Sequence, residues 1–425
     1  MTESAGYPRF RWFVLVALVV ITAAHSMVMI GPAPFMGIIA QELGISLGRA
    51  TGYFMGIFNL FAALSCVAGG AICDRFGITK TFFLGLVLMT VPSLALPLWG
   101  HSFGSILTLR ILQGCGVGPI MAVAAPVAAL WFPRHERGIV LGLQGTSVAL
   151  GIAIGFVAGP AAFAATGSWQ AAMAWLTVLC FVGLALNAVV SFGSTAPGDS
   201  GEVPAGETIP TGGHDFKLAC RQPVTWVGMF IVFSLSWTLA AFNDLTPAYL
   251  AIEPPIGVGH GTMTAGKLMM MFQVAFMVGS AVTGFVMERV FGRRARPVIA
   301  IGFCLFGILS VASLARGVAS DVPTLIPLLA AAGFFQAWIV PNAMAFVSLH
   351  YPAHITGKVV GLWMGTGLFG GTCGVIAGAA ALHHTGNYEV SILFVGAASF
   401  VGLALSLFLK PPVLASVEPV LQAEY

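Results

Sequence analysis

Hydrophobic residues run in long stretches along this chain, and short polar or Gly/Pro-rich segments interrupt them. Each stretch is about 20 residues or longer, which is the length a helix needs to cross the roughly 30 Å apolar core of a bilayer. Polar and apolar residues do not alternate within the stretches, which disfavours barrel strands. The pattern predicts twelve spanning helices, α1 to α12, at 12–38, 50–73, 80–100, 103–132, 137–165, 168–192, 224–250, 262–287, 296–316, 322–349, 356–382 and 388–409.

The composition agrees with an all-α integral membrane protein. Of 425 residues, 58% are hydrophobic and 8% are charged, against about 25% charged residues in soluble domains. Soluble enzymes and nucleic-acid binders are therefore excluded. Seven scattered cysteines without a C-x-x-C pair are assigned to packing, so we expect no disulfide, metal or cofactor.

The placement of charge predicts the orientation. Arg49 and Arg316 fall on one side of the predicted bundle, and Arg110 and Lys267 fall inside spans. Because cytoplasmic loops carry the excess of Lys and Arg, both termini are expected in the cytoplasm, with α1 retained rather than cleaved as a signal peptide. The remaining 14 of the 18 basic residues lie on the cytoplasmic side: Arg9, Arg11, Arg75, Lys80, Arg134, Arg137, Lys217, Arg221, Arg289, Arg293, Arg294, Arg296, Lys358 and Lys410.

One long polar stretch divides the predicted helices six and six. Residues 193–223 are rich in Gly, Pro, Thr and acids, and are interpreted as a cytoplasmic linker between an N-terminal bundle, 1–192, and a C-terminal bundle, 224–425. Within the linker, 214–221 is either a short helix on the membrane face, with Lys217 and Arg221 near anionic head groups, or a solvated tether.

The two halves are internal repeats of each other. At a shift of 219 residues, Pro133, Gly151 and Gly155 correspond to Pro352, Gly370 and Gly374, among other matches. At a shift of 214, four more pairs match: Gly52 with Gly266, Asn59 with Gln273, Gly70 with Gly284 and Asp74 with Glu288. Such repeats predict two pseudo-symmetric six-helix bundles with a substrate held near the midplane between them.

Three motifs resemble the major facilitator superfamily. The segment from Gly70 to Lys80, GAICDRFGITK, resembles its loop 2–3 signature, and a weaker copy runs from Gly284 to Arg294. Arg110 to Gly118, RILQGCGVG, resembles the helix 4 motif, and the spaced glycines of α5 before Pro160 resemble the helix 5 motif. The resemblance implies a monomeric secondary transporter of the cell membrane, expected in a bacterial inner membrane. Ile78 and Thr79 depart from the usual basic pair.

The loop signature and its weaker copy supply the gating candidates Asp74, Arg75, Glu288 and Arg289, and the loop after α4 supplies Arg134 and Arg137. Asp74 lies where α2 meets the cytoplasm, where a carboxylate can pair with Arg134 or Arg137, or face the N-terminus of α11. The family resemblance implies a latch that holds the outward-open state. The alternative is ordinary solvated loop charge.

Polar and tryptophan residues near mid-membrane supply the substrate-binding candidates, because a polar group in lipid is expensive. A lone amide is also a frequent hydrogen-bonding link between helices, and that alternative stays open for each. The candidates lie on helices that line the cavity in the resembled fold: His25, Asn59, Gln144, Trp237, Gln273, Gln336 and Trp363.

Three charges fall inside spans. Arg110 is expected at the substrate cavity and is also a family-wide structural or coupling residue. Lys267 either pairs with Asp244 as an extracellular gate, meets an anionic substrate, or extends to the membrane surface. If Lys267 binds the anion, Lys267→Gln raises the KM for an anionic substrate and leaves a neutral one unaffected.

The sequence therefore predicts a transporter, not an enzyme, that carries a small organic anion such as a carboxylate by alternating access. The embedded cations would offset the desolvation of the anion. A proton is a second candidate ligand, with His25 as the titrating group because the ordinary pKa of imidazole is about 6.5. The alternative is a neutral His25 that is hydrogen-bonded across helices and does not titrate during transport. The alternatives are a drug or cation/proton antiporter and a transporter-like sensor.

Overall fold

The computed structural model describes residues 8–133, 136–193 and 213–412. Within these ranges every regular element is helical. Eleven helices are long and apolar enough to cross a bilayer, and α2 brings the number to twelve when its two bent segments count as one span. The predicted all-α membrane architecture is confirmed.

The spans begin and end within four residues of their predicted bounds. Several spans are broken: α1 by a 3-10 turn, α2 by a π-helical turn, and α4, α6 and α10 by single-turn interruptions. The bounds are α1 Arg11–Ile30 and Met36–Glu42; α2 Leu47–Thr51, Gly52–Gly56 and Ile57–Phe76; α3 Ile78–Trp99; α4 Phe103–Ala122 and Ala124–Trp131; α5 Arg137–Thr166; α6 Trp169–Trp175 and Val178–Phe192; α7 Pro223–Ala251; α8 Gly261–Arg289; α9 Ala295–Ala312; α10 Val322–Gln336 and Ile339–His350; α11 Ala353–Thr385; α12 Glu389–Ser406.

The repeat predicted from sequence reappears in the backbone. Gly167 and Gly386, again 219 positions apart, end α5 and α11 in the left-handed region, with φ of 70° and 75°. A residue without a Cβ adopts this conformation without steric cost, so glycine there terminates both helices. Packing repeats too, since α1 packs on α5 as α7 packs on α11.

A short helix, Gly213–Arg221, precedes α7 and is called the linker helix here. It packs against α7 and α11, and its Ala219 is fully buried. Residues 194–212 lie outside the described residues, so the linker bounds 193–223 and the two bundle boundaries stay predictions.

The two halves pack against each other toward one side of the bundle only. We call the side that carries Arg11, Arg75, Arg289 and Lys410 the basic side, and the other the far side. On the far side, a methyl group added at Gly48 would collide with His383 of α11, and one at Gly266 would collide with Phe156 of α5.

Toward the basic side the corresponding helices stand apart. Methyl groups added at six glycines would meet no heavy atom of a neighbouring described residue within 4 Å. Among the described residues, the close contacts between the halves thus lie on the far side, and the basic side is open at these positions. These glycines are Gly70 on α2, Gly142 and Gly145 on α5, Gly284 on α8, and Gly361 and Gly365 on α11.

Candidate functional site between the two halves

A polar cluster lies where α2 of the first half meets α7 of the second. Asn59 on α2 donates its Nδ2 to Oδ2 of Asp244 on α7, at 2.9 Å. Gln273 on α8 donates its Nε2 to Oδ1 of Asn243, at 2.7 Å. The two amides that the internal repeat pairs therefore contact adjacent residues of one helix. One bond joins the halves, and the other lies within the second half.

Arg110 on α4 is buried, with 1% of its surface exposed. Its Nε donates to the carbonyl oxygen of Phe54 at 2.9 Å, and its two terminal nitrogens donate to the oxygens of Gln113, at 2.8 Å, and Met29, at 3.2 Å. The guanidinium carbon also lies 4.1 Å from the ring centroid of Phe58, a favourable cation–π distance. The arginine thus links α1, α2 and α4 of its own half.

The π-helical turn of α2 explains part of this geometry. Phe54 lies within that turn, Gly52–Gly56, where the helical hydrogen-bond ladder is shifted. Its carbonyl accepts from the arginine, which satisfies a backbone acceptor inside the membrane. Such turns are frequent at functional sites. Nothing in the sequence of α2 predicted this turn.

Asp244 is buried, with 4% of its surface exposed. Arg110 stabilises its negative charge electrostatically, but the two groups make no ion pair within 4 Å. Within the described residues, the carboxylate accepts its hydrogen bond from Asn59. The carboxylate therefore depends on the opposite half for its polar contacts.

The other predicted substrate residues occupy separate environments. Gln336 donates to Thr238 Oγ1 at 3.0 Å, so it links α10 to α7. Gln144 lies at 3.5 Å from the carbonyl oxygen of Met121, at the limit of a hydrogen bond. Trp363 is fully buried inside the second half, next to Gly228. These residues act in the structure as contacts within a half.

His25 lies buried at mid-length in α1. Its Nε2 lies 3.4 Å from Ser26 Oγ, and its Nδ1 has no hydrogen-bond partner among the described residues. The side chain lies outside the polar cluster, because the polar contact that it makes among the described residues is to Ser26 on α1.

Lys267 is exposed, and Asp244 pairs with Asn59 rather than with this lysine. Val274, Val278 and Phe285 are also exposed and follow Lys267 along one face of α8. Gln273 lies about 120° around the helix from Lys267, at 100° per residue. The position favours the alternative in which Lys267 extends along the bundle surface.

The predicted gating residues lie on the basic side. Asp74, Arg75, Glu288 and Arg289 are exposed. Arg137 donates to the carbonyl oxygens of Phe132 and Ala129 at the end of α4, and Arg134 lies outside the described residues. Since the basic side is open, a latch that closes it would be released in this conformation.

Two contacts at the far side were not anticipated. Ser46 Oγ lies 2.8 Å from Nδ1 of His383, which joins the start of α2 to α11. Asn243, which accepts the hydrogen bond from Gln273, was also not predicted from the sequence. Its place next to Asp244 in the sequence could have suggested it.

A family model described as the Major Facilitator Superfamily matches this chain over residues 16–315 and 262–423. The chain belongs to the major facilitator superfamily. The family and the fold are those of transporters, and the resemblance of the motifs is confirmed.

Superfamily relatives of similar length are transporters of organic anions by name. A hexuronate transporter from Bacillus subtilis is 25% identical, with 89% of each chain covered. A probable sulfoacetate transporter from Cupriavidus necator is 26% identical, with 88% of each chain covered. A gallate transporter from Pseudomonas putida is 25% identical, covering 88% of this chain and 86% of that protein.

A solved structure supports the superfamily fold. A bacterial homolog of the human lysosomal transporter Spinster, in an inward-facing and unoccupied conformation, aligns with a TM-score of 0.73 over 95% of both chains. At 15% identity this likeness shows the shared fold.

Proposed function

We propose that this protein carries a small organic anion, such as a carboxylate, across the membrane by alternating access. The observation that carries the proposal is the one-sided contact between the halves, which closes the far side around Asn59 and Asp244 and leaves the basic side open. The superfamily relatives support the substrate class, because hexuronate, sulfoacetate and gallate are small organic anions.

The orientation of the pathway follows from the charges. With the basic side in the cytoplasm, the positive-inside rule is satisfied and the open side faces the cytoplasm. We place both termini there. The bacterial relatives support a bacterial inner membrane, and we treat the transporter as a monomer.

Coupling to protons follows from the pair of buried charges. An anion bound near Arg110 would be repelled by an ionised Asp244, because both lie in a low-dielectric environment. Protonation of Asp244 removes that repulsion. Proton and anion therefore bind cooperatively at this site, which is the condition for symport.

His25 is the second candidate for the proton site. Its imidazole is buried, and one ring nitrogen lacks a partner among the described residues. Asp244 is favoured over it because Asp244 lies at the contact that must change when the far side opens, whereas the contacts of His25 are local to α1.

A cation/proton antiporter is the competing function. Asp244 is the observation in its favour, since a buried carboxylate can alternate between a proton and a cationic substrate. The two functions differ in the charge of the substrate, which is an anion in the proposed transporter and a cation in the antiporter.

Uptake into proteoliposomes tests the proposal. Purified protein is presented with labelled glucuronate, sulfoacetate, gallate and a cationic drug, with and without an inward proton gradient. We expect gradient-driven accumulation of at least one anion. In a parallel assay with an outward proton gradient, accumulation of the cation, with no anion accumulated under the inward gradient, would replace the anion proposal with the antiporter.

Two variants locate the proton site. Asp244→Asn keeps the hydrogen bonding of the side chain but cannot ionise, so we expect substrate exchange to persist while gradient-driven accumulation is lost. His25→Gln is the matched comparison and should retain accumulation with its pH dependence intact. The reverse result would move the proton to His25.

A further inference from the structure

A lateral groove lies on the second half, away from the contact with the first. Its cavity volume is about 410 Å³, within the roughly 300–1,000 Å³ of ordinary ligand sites. It lies between α7, α11 and α12, and its walls are formed by side chains that include Phe230, Phe233, Trp237, Phe394, Val401 and Leu405.

The groove opens toward the membrane. Phe230, Phe394 and Val401 at its rim are 53%, 42% and 54% exposed, although all three are hydrophobic. The helix that forms one wall, α12, packs against α7, α9 and α11 of its own half. All of the residues that line the groove belong to the second half. The groove therefore borders lipid, and water does not fill an apolar cleft at this depth.

Positive charge lies beyond one end of the groove. The lining runs along α7 and α12 toward the basic side, where it ends at Phe230 and Leu405. Leu405 packs against the same apolar cluster as Ala219 of the linker helix and Leu409. Three exposed cations neighbour members of that cluster in the sequence: Lys217 and Arg221 lie on either side of Ala219 in the linker helix, and Lys410 follows Leu409.

The linker helix is anchored in this position. Thr225 Oγ1 donates to the carbonyl oxygen of Ala219 at 2.6 Å and accepts from Tyr351, at 2.8 Å. Burial raises the pKa of the Tyr351 phenol, which therefore remains a proton donor. The exposed Trp226 also donates its Nε1 to the carbonyl oxygen of Cys220, at 2.9 Å. A tryptophan with its ring at the membrane interface is typical of the head-group region.

We propose that the groove binds an acyl chain of an anionic phospholipid, whose phosphate lies against Lys217, Arg221 and Lys410. An apolar cleft that borders lipid loses packing contacts unless a hydrocarbon chain fills it. The cations select an anionic head group, because basic residues at the membrane surface attract it. This site is separate from the transport pathway and does not rest on the proposed function. It assigns Trp237 to the lipid rather than to the transported solute.

Tryptophan quenching by brominated lipid tests the chain position. The protein is reconstituted in nanodiscs of phosphatidylcholine with a small fraction of phosphatidylglycerol, and the mid-chain bromines are carried by one lipid or the other. The contribution of Trp237 is the difference in fluorescence between the wild-type protein and Trp237→Phe, and this difference is the reporter. We expect this component to be quenched more strongly when the bromines are on phosphatidylglycerol than when the same fraction of phosphatidylcholine carries them.

The control reporter is Trp175 on α6, which is 62% exposed on the other half. The component removed by Trp175→Phe should show no preference between the two brominated lipids. Equal quenching of the Trp237 component by both lipids would overturn the proposal, and so would an equal preference at Trp175.

Two sets of variants test the two parts of the site. Arg221→Gln and Lys410→Gln should each lower the phosphatidylglycerol preference at Trp237 by about fivefold. Ala398 is a small residue of α12 that also lines the groove. Ala398→Leu should fill the groove and reduce quenching by both lipids, while binding of the transported anion stays at the wild-type level. An unchanged preference after both charge variants would overturn the head-group assignment, and unchanged quenching in Ala398→Leu would overturn the groove.

Discussion

The two halves of this transporter treat their buried charges differently. Arg110 in the first half makes all of its hydrogen bonds to residues of that half, on α1, α2 and α4. Asp244 in the second half receives its hydrogen bond from Asn59 in the first. When the halves rock apart on the far side, the arginine keeps its partners and the carboxylate loses its own. The difference identifies Arg110 as a fixed part of its bundle and Asp244 as the group that senses the conformational change.

Loss of the arginine should have the largest effect. Arg110→Gln leaves the carbonyl oxygens of Phe54 and Met29 without their charged donor and removes the cation that stabilises Asp244. Leaving a buried hydrogen-bonding group without its partner costs about 1–3 kcal/mol for each group. We expect a marked fall of the melting temperature in detergent and no detectable uptake.

A second substitution distinguishes the two sources of that loss. In Arg110→Gln/Asp244→Asn the buried negative charge is also gone, so part of the lost stability should return. If the double variant melts at the same temperature as Arg110→Gln, the electrostatic link between the halves contributes nothing, and only the bonds within the first half matter.

The paired amides provide a matched test of the far-side contact. Asn59→Ala removes the bond between the halves, whereas Gln273→Ala removes a bond inside the second half. A hydrogen bond to a charged group contributes about 1.5–3 kcal/mol. Asn59→Ala should therefore shift the population toward far-side opening by roughly tenfold or more, and Gln273→Ala should leave it near the wild-type value.

Cysteine labelling measures that population. Ala379 on α11 is 2% exposed and faces Gly52 of α2 across the far-side contact. In a background without the native cysteines, a membrane-impermeant maleimide should label Ala379→Cys faster when Asn59 is Ala. Equal acceleration by the two amide variants would mean that the bond across the halves has no special role.

The spans and the repeated halves were predictable because lipid imposes them. A helix must satisfy its own backbone in the bilayer, so the apolar stretches report their length directly. The equivalence of Asn59 and Gln273 was likewise readable from the 214-residue shift. Their partners were not, because the pairing with Asn243 and Asp244 depends on how the halves pack.

The environments of Lys267 and Trp237 show a different limit. For Lys267 a signal existed: the residues that share its helical face, Val274, Val278 and Phe285, are all apolar, which is typical of a lipid-facing surface. For Trp237 no periodicity separates a wall of the central pathway from a groove between α7, α11 and α12. That distinction requires the packing of three helices.

A substitution on the basic side, at Asp74, should have a smaller effect than the substitutions at the far-side contact. Asp74 is exposed at the basic side, so its ion pair in the closed state has the strength of a surface pair, on the order of 1 kcal/mol. Asp74→Asn should raise labelling of Gly361→Cys, a position that is open in this conformation, severalfold at most. Unchanged labelling would remove Asp74 from the gate.

The smallest effect is expected at the third embedded charge. Lys267 lies in the same half as Asp244 but makes no hydrogen bond or ion pair with it, and its helical face is exposed from Lys267 to Phe285. A charge outside the contact between the halves should have no part in coupling. Lys267→Gln should therefore transport an anion with a KM and pH dependence close to wild type. A KM raised for anions, with neutral ligands unaffected, would instead return Lys267 to the substrate pathway, and the contrast between Arg110 and Asp244 would no longer account for anion recognition by itself.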